Sequence, residues 1–277
     1  LNKFWKPKPW VAVLVGVLLQ PMTFLYVQKI KLFWLYFLLT SFIAIIDWYC
    51  QVYFTALFSL VCPVHAYVVA KRIEPTDSRK WYSLWWGIPL IYALIITSTF
   101  MIRSFFYEPF SIPASSMSPY LNVGDHVIVK KYGFGTYGTY GISIINGTVA
   151  DDVQLVRGRV YVFYPPHKDG IPFVKRLIGL PGDRVSIGGR SISINDEILP
   201  SVLVSVDGGV SIFEESNNGV TYQIQRSKLT QRPFNIMVPD NQYFFLGDNR
   251  DNSSDSRRWG GVQKNRFLGE VVYVLNK

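Results

Sequence analysis

At 277 residues, 49% of them hydrophobic, the chain is long enough for two domains and too apolar for a wholly soluble protein. Its formal net charge of +9 would admit a nucleic-acid partner. However, the basic residues form no stripe interleaved with exposed aromatics, and several flank apolar runs, so nucleic acid is excluded in favour of anionic lipid headgroups. The only cysteines, Cys50 and Cys62, both fall in the apolar part, which leaves the rest without a disulfide or a thiolate metal site.

Nine of the 28 Lys and Arg and three of the 19 Asp and Glu lie in residues 1–102, where the charges separate four apolar segments. These are 10–27, 32–48, 52–70 and 84–102. A bilayer needs about 20 apolar residues, so the last two are long enough, 32–48 is somewhat short, and Gln20-Pro21 interrupts the first. A cleaved targeting peptide is not expected, because three further segments follow and no small-residue cleavage pattern ends the first.

Lys3, Lys6 and Lys8 precede the first segment, Lys29 and Lys31 follow it, and Lys71, Arg72, Arg79 and Lys80 precede the last. The turn 47–51 carries no Lys or Arg. A first segment that dips in and returns at Pro21 puts every basic cluster in the cytoplasm and the part after Ile102 outside. Four full crossings are the alternative, and they separate the N-terminal lysines from Lys29 and Lys31. Asp47, beside Trp48, reads as an interfacial residue in that turn.

After Ile102 the pattern changes to short alternating runs at 126–130, 159–164, 184–187, 191–194, 242–246 and 270–275, separated by Gly, Pro, Asn and Asp. The expected architecture is therefore N-terminal transmembrane helices followed by a mainly-β soluble domain of folded antiparallel sheets or a barrel. The stretches 133–141 and 207–218 read as mobile loops. No Lys-Ser/Thr follows the first, which argues against a phosphate cradle. A G-x-S-x-G elbow, an S-x-x-K pair and an H-E-x-x-H helix are all absent. His65 lies inside an apolar segment, His126 at a strand start and His167 in a Pro-rich turn, none with catalytic context.

Three stretches remain: Ser111-Ile-Pro-Ala-Ser-Ser-Met-Ser-Pro-Tyr-Leu121, Phe173-Val-Lys-Arg-Leu-Ile-Gly-Leu-Pro-Gly-Asp-Arg-Val185 and Gly247-Asp-Asn-Arg-Asp-Asn-Ser-Ser-Asp-Ser-Arg257. The first alone, with its prolines and hydroxyls, reads as a stiff linker. Together, in order and spacing, the three resemble the motif boxes of bacterial type I signal (leader) peptidases, over most of residues 104–277.

The resemblance implies a membrane-bound serine endopeptidase with a Ser-Lys dyad that removes signal peptides from exported preproteins and needs no metal or cofactor. Ser116 corresponds to the nucleophile, Lys175 to the general base, and Ser253 to a serine that hydrogen-bonds the lysine. Asp248, Arg250, Asp255 and Arg257 correspond to a supporting salt-bridge set, and Ile112, Met117, Leu121 and Val174 to the walls of shallow substrate pockets. It also implies a variable insertion around 199–235, and the bacterial inner membrane with the catalytic domain on the periplasmic face. Ala114 departs from the family, which often has a serine there whose hydroxyl helps the oxyanion hole.

The residue types suit this chemistry. A serine hydroxyl needs a base, and a lysine, starting near pKa ~10.4, serves at neutral pH only if burial lowers it by about two units. Fourteen residues from Ile102 reach at most about 46 Å, which keeps the chemistry near the membrane surface. A Ser-Lys self-cleaving regulator would need a nucleic-acid-binding domain where this chain has apolar segments. A non-catalytic membrane-anchored β-domain, a binding or scaffold module, is the remaining alternative.

Overall fold

The structure, a computed structural model, describes residues 4–50, 52–189, 191–227 and 231–275. Lys3 of the N-terminal basic cluster, Gln51 of the expected turn and residues 228–230 of the expected insertion lie outside them. The chain forms two units, Leu1–Ser98 and Thr99–Lys277.

In the first unit the helix Pro9–Leu19 ends at Gln20, which takes a left-handed φ of 50° just before Pro21. A short 3-10 turn, Gln20–Met22, leads into the helix Thr23–Tyr26. Eleven helical residues rise about 16 Å, roughly half of a hydrocarbon core. The chain then doubles back. The Thr23 hydroxyl donates to the Ala12 carbonyl (2.7 Å), and the Lys8 amide donates to the Tyr26 hydroxyl (2.9 Å). Trp5 bridges Thr76, and Gln28 donates to Ser83 (3.3 Å), so both ends of this segment lie beside residues 76–83. Gly16 allows the close approach to Pro63 that packs the first helix on Val61–Arg72, since a Cβ there would sit 2.9 Å from the proline Cα.

By length and composition, Ile30–Asp47, Phe54–Arg72 and Gly87–Phe105 could each cross a membrane, as could Pro9–Tyr26 taken as a whole. Asp47 lies inside the helix Ile30–Cys50 and not in a turn. Its carboxylate accepts the amides of Phe54 (2.9 Å) and Thr55 (2.7 Å), donors that the start of the next helix leaves without intrahelical partners.

The second unit is built on a seven-stranded antiparallel sheet. In spatial order its strands are Tyr107–Ser111, His126–Lys130, Phe267–Leu275, Val160–Phe163, Phe173–Gly179, Gln242–Leu246 and Val262–Gln263. The central strands read as near-continuous apolar runs because both of their faces are covered. One apolar cluster holds Phe134, Tyr161, Phe163, Phe245 and Phe267, and another holds Ile112, Met117, Leu121, Val127 and Val162. Smaller sheets flank this core: a hairpin of Tyr137–Thr139 with Ile142–Ile145, a four-stranded sheet around Arg184–Gly189, and a three-stranded meander of Ser201–Asp207, Val210–Asn217 and Val220–Arg226.

Two expectations are corrected here. Residues 207–218 are the end of one strand and the whole of the next, joined at Gly208-Gly209, and 133–141 contains a hairpin strand. The strand Val210–Asn217 buries Glu215 and Asn217, so polar residues occupy the inward positions and the usual apolar alternation is hidden.

Candidate active site

Register places the second of the three stretches at the centre of the sheet. Tyr161 pairs with Lys175 and Val162 with Val174 on one side, and Leu246 pairs with Arg176 on the other. Antiparallel continuation beyond Leu246 carries Gly247 and Asp248 alongside Lys175. In the first stretch Ile112 follows the strand Tyr107–Ser111, and Ser115–Met117 form one 3-10 turn.

The third stretch holds that turn. The Asn249 amide donates to the Ser116 carbonyl (3.1 Å), and its side chain donates to the Ser115 carbonyl (3.2 Å). Asn249 is itself flanked by two backbone bonds to Gln225, from Gln225 N to Asp248 O (2.9 Å) and from Arg250 N to Gln225 O (3.0 Å). The meander therefore supports the box that supports the Ser115–Met117 turn.

Within this frame Lys175 Nζ lies 2.5 Å from Ser116 Oγ and donates to the Val174 carbonyl at 3.1 Å. Lys175 is 4% exposed. Burial pushes its pKa down to about 8, against the opposing pull of the Asp255 and Asp248 carboxylates. A buried amine in contact with a partly exposed hydroxyl can take the serine proton, which is the requirement for covalent catalysis by serine.

Ser253 sits differently from expectation. Its hydroxyl is buried without a hydrogen-bond partner among the described residues, and it does not reach Lys175. The side chain is folded over Gly247, where any added Cβ would collide with it.

Asp248, Arg250, Asp255 and Arg257 each take part in an ion pair. Asp248 takes a two-point ion pair from Arg176 (2.8 and 2.5 Å), whose guanidinium lies 3.9 Å from the Tyr222 ring centroid and 4.9 Å from that of Tyr120. Arg250 pairs with Glu215 of the meander through two bonds, the Nη1 bond at 2.9 Å, and the Tyr222 hydroxyl donates to the same carboxylate (2.9 Å). Asp255 and Arg257 are partners inside the box, at 2.8 and 2.7 Å. Asp255 also accepts the Gly247 amide (3.1 Å), and Arg257 donates to the Arg250 carbonyl (2.6 Å). These partners are set by topology: strand register brings Arg176 to Asp248, and the meander brings Glu215 to Arg250.

Ile112, Met117, Leu121 and Val174 all belong to one apolar cluster, in which Met117 and Val174 adjoin Ser116 and Lys175 in sequence. Ile112, Met117 and Leu121 are buried in this conformation, whereas Val174 is partly open. Ala114 is extended and exposed, with no side-chain donor to offer.

Gly247, Asn249, Arg176 and Glu215 carry roles that sequence reasoning did not assign. The first three lie in the quoted stretches, whereas Glu215 lies in a stretch read as loop. A Cβ on Gly247 would collide with both the Ser116 carbonyl oxygen and Ser253. Gly247→Ala is therefore expected to lower kcat by about 10²-fold, since displacement of a reacting group by about an ångström has that effect. Steady-state cleavage assays check this, and wild-type turnover in the variant would show that the nucleophile loop can shift freely.

The family model described as "Signal peptidase, peptidase S26" matches residues 83–275. A signal peptidase I from Buchnera aphidicola subsp. Baizongia pistaciae is 30% identical over 230 residues, covering 65% of this chain and 73% of that protein. One from Pseudomonas fluorescens is 33% identical over 179 residues, covering 62% of this chain and 60% of that protein. A solved signal peptidase I from Enterococcus faecalis V583 is 26% identical, covering 43% of this chain and 98% of that one, with a TM-score of 0.32. With the family model matching well over half of its length, the chain belongs to the signal peptidase, peptidase S26 family and is a serine endopeptidase.

Proposed function

We propose that this chain is a membrane-anchored peptidase that removes signal peptides from exported preproteins, with Ser116 as nucleophile and Lys175 as general base. The observation that carries the reading is the 2.5 Å contact between the Ser116 hydroxyl and an amine that is almost wholly buried. In its neutral form Lys175 accepts the Ser116 proton as Oγ attacks the scissile carbonyl. The resulting ammonium then protonates the leaving amine, and an acyl-enzyme remains on Ser116. Water, deprotonated by the same amine, releases the acyl group. The developing oxyanion is served by the Ser116 backbone N–H, with Ala114 contributing nothing. Apolar walls of Ile112, Met117 and Val174 favour small residues before the cut by leaving no room for larger ones.

The apolar helices anchor the chain in the bilayer, and the Lys/Arg clusters support an outer-face position for the catalytic unit. The doubled-back first segment agrees with this, because it returns Lys8 and Lys29 to one side.

Incubating the detergent-solubilised protein with a preprotein and sequencing the new N-terminus tests the proposal. A single new terminus directly after the signal peptide is expected, and intact preprotein in the presence of folded enzyme would overturn it.

The buried amine also sets a pH dependence. The ammonium form is inactive, so kcat/KM should rise with pH through an ionisation near 8 and level off above it. A flat profile between pH 6 and 9 would remove Lys175 as the base.

A further inference from the structure

A lysine that serves as base must shed its proton, and Lys175 has to do so in the presence of two carboxylates. Burial drives it toward the neutral amine, and Asp255 and, to a lesser degree, Asp248 oppose that. Both carboxylates are closed to water, at 0% exposure. Asp255 accepts the Gly247 amide (3.1 Å), on the residue where any Cβ would strike the Ser116 carbonyl oxygen and Ser253, and it caps the short helix Ser256–Trp259. Asp248 follows Gly247 directly. Both groups thus hold the third stretch together. At short range and without water, however, their charge stabilises the ammonium, the form that cannot accept a proton.

Each carboxylate is met by its own guanidinium. Arg257 donates to Asp255 through Nε and Nη2 (2.8 and 2.7 Å), and Arg176 donates to Asp248 through the same two atoms (2.8 and 2.5 Å). Successive strand residues point to opposite faces, so Arg176 serves Asp248 from the face that Lys175 does not occupy. The other groups packed around the amine bring no charge. Its hydrogen-bond partners are the Ser116 hydroxyl and the Val174 carbonyl, and the Phe173 ring centroid lies 5.6 Å from Nζ. Tyr161, opposite Lys175 in the neighbouring strand, accepts the Val156 amide, and burial pushes its pKa up to about 12, so it stays neutral. Arg250, further along the box, is matched by Glu215.

We propose that Arg257 and Arg176 are positioning residues that act on the base through charge: by pairing with Asp255 and Asp248 they cancel the field of those carboxylates at the Lys175 amine and leave it able to lose its proton. The proposal rests on the reading of Lys175 as general base given above. It assigns the two arginines a task distinct from holding the box in place, because a neutral hydrogen-bond donor of similar size could hold the box yet could not balance the charge. Arg257 is the member to test, since its side chain is 18% exposed and Arg176 only 4%.

The test is the pH profile of kcat/KM for cleavage of a preprotein by the full chain in detergent. Arg257→Gln leaves Asp255 unopposed, so the midpoint of the rise should move up by about one pH unit. Asp255→Asn keeps an oxygen for the Gly247 amide and leaves Arg257 unopposed, so the midpoint should move down by about one unit. The double variant Asp255→Asn/Arg257→Gln should return to the parent midpoint, and Arg257→Lys, which keeps the charge, should stay there. A purely structural pair lowers the plateau without moving the midpoint, so an unmoved midpoint in Arg257→Gln overturns the proposal. A shift of the same sign in Arg257→Gln and Asp255→Asn overturns it as well. Lysine labelled with carbon-13 at Cε, with the Lys175 signal assigned by its loss in Lys175→Ala, reads the same ionisation without turnover and decides the matter if Arg257→Gln is inactive. That signal also separates the two readings. An amine that ionises at the same pH in all these variants overturns the charge balance alone, whereas an amine that shifts as expected in an enzyme whose kcat/KM is flat with pH supports the charge balance and removes Lys175 as the base.

Discussion

Ser116→Ala and Lys175→Ala are each expected to lower kcat by on the order of 10⁴-fold or more, to a common background that the double variant does not reduce further. Groups that act as one unit are strongly non-additive, because once the hydroxyl or the base is gone the other has no proton to exchange. Lys175→Arg should fall to the same background. A guanidinium stays protonated at any accessible pH, and its planar fork does not fit where one nitrogen sits 2.5 Å from Ser116 Oγ. Single-turnover cleavage of a purified preprotein by each detergent-solubilised variant checks this, since it isolates the chemical step from product release. Losses that add in the double variant would mean that Ser116 and Lys175 serve separate functions, and residual turnover in Lys175→Arg would place the base elsewhere.

That the two residues meet was foreshadowed by the sequence, while their surroundings were not. The apolar segments are legible because bilayer thickness sets their length, and the break at Gln20-Pro21 marks where the first one doubles back. Strands such as His126–Lys130 are legible because one face is buried and alternation survives. The ion pairs are a different matter. The resemblance names Asp248, Arg250, Asp255 and Arg257 as a salt-bridge set but not the partner of each. Their actual partners depend on which strand lies next to which: Arg176 is 72 residues from Asp248, and Glu215 is 35 residues from Arg250. Local pattern carries no information about that choice. Glu215 is doubly hidden, because a carboxylate at an inward position makes the strand around it read as loop. Likewise Ser253 is singled out by its place in the box, yet its hydroxyl turns toward Gly247 and not toward the lysine.

Glu215→Ala is expected to destabilise the catalytic unit by about 3–5 kcal/mol, the usual effect of removing one partner from a buried ion pair. Both partners are essentially without solvent contact, at 1% side-chain exposure for Glu215 and 0% for Arg250. Burial works against the Glu215 carboxylate, and the Arg250 guanidinium more than offsets it, holding the group below its ordinary pKa. Without that carboxylate Arg250 is left as an uncompensated charge, and Tyr222 loses the acceptor of its hydroxyl. For a unit of this size the loss corresponds to a fall in Tm on the order of 10 °C, measured by thermal unfolding of the detergent-solubilised protein. The control is the pair Glu215→Leu with Arg250→Met, which removes both charges and fills similar volume. Buried pairs replaced in this way are often neutral or stabilising, so much of the lost stability should return. Activity should follow the same order. The Asp248–Arg250 segment carries Asn249, whose amide and side chain hold the Ser116 and Ser115 carbonyls, and a misplaced segment releases the nucleophile loop. An unchanged Tm in Glu215→Ala would mean that Arg250 finds another partner or water, and the meander would then support the active site through the Gln225 backbone alone.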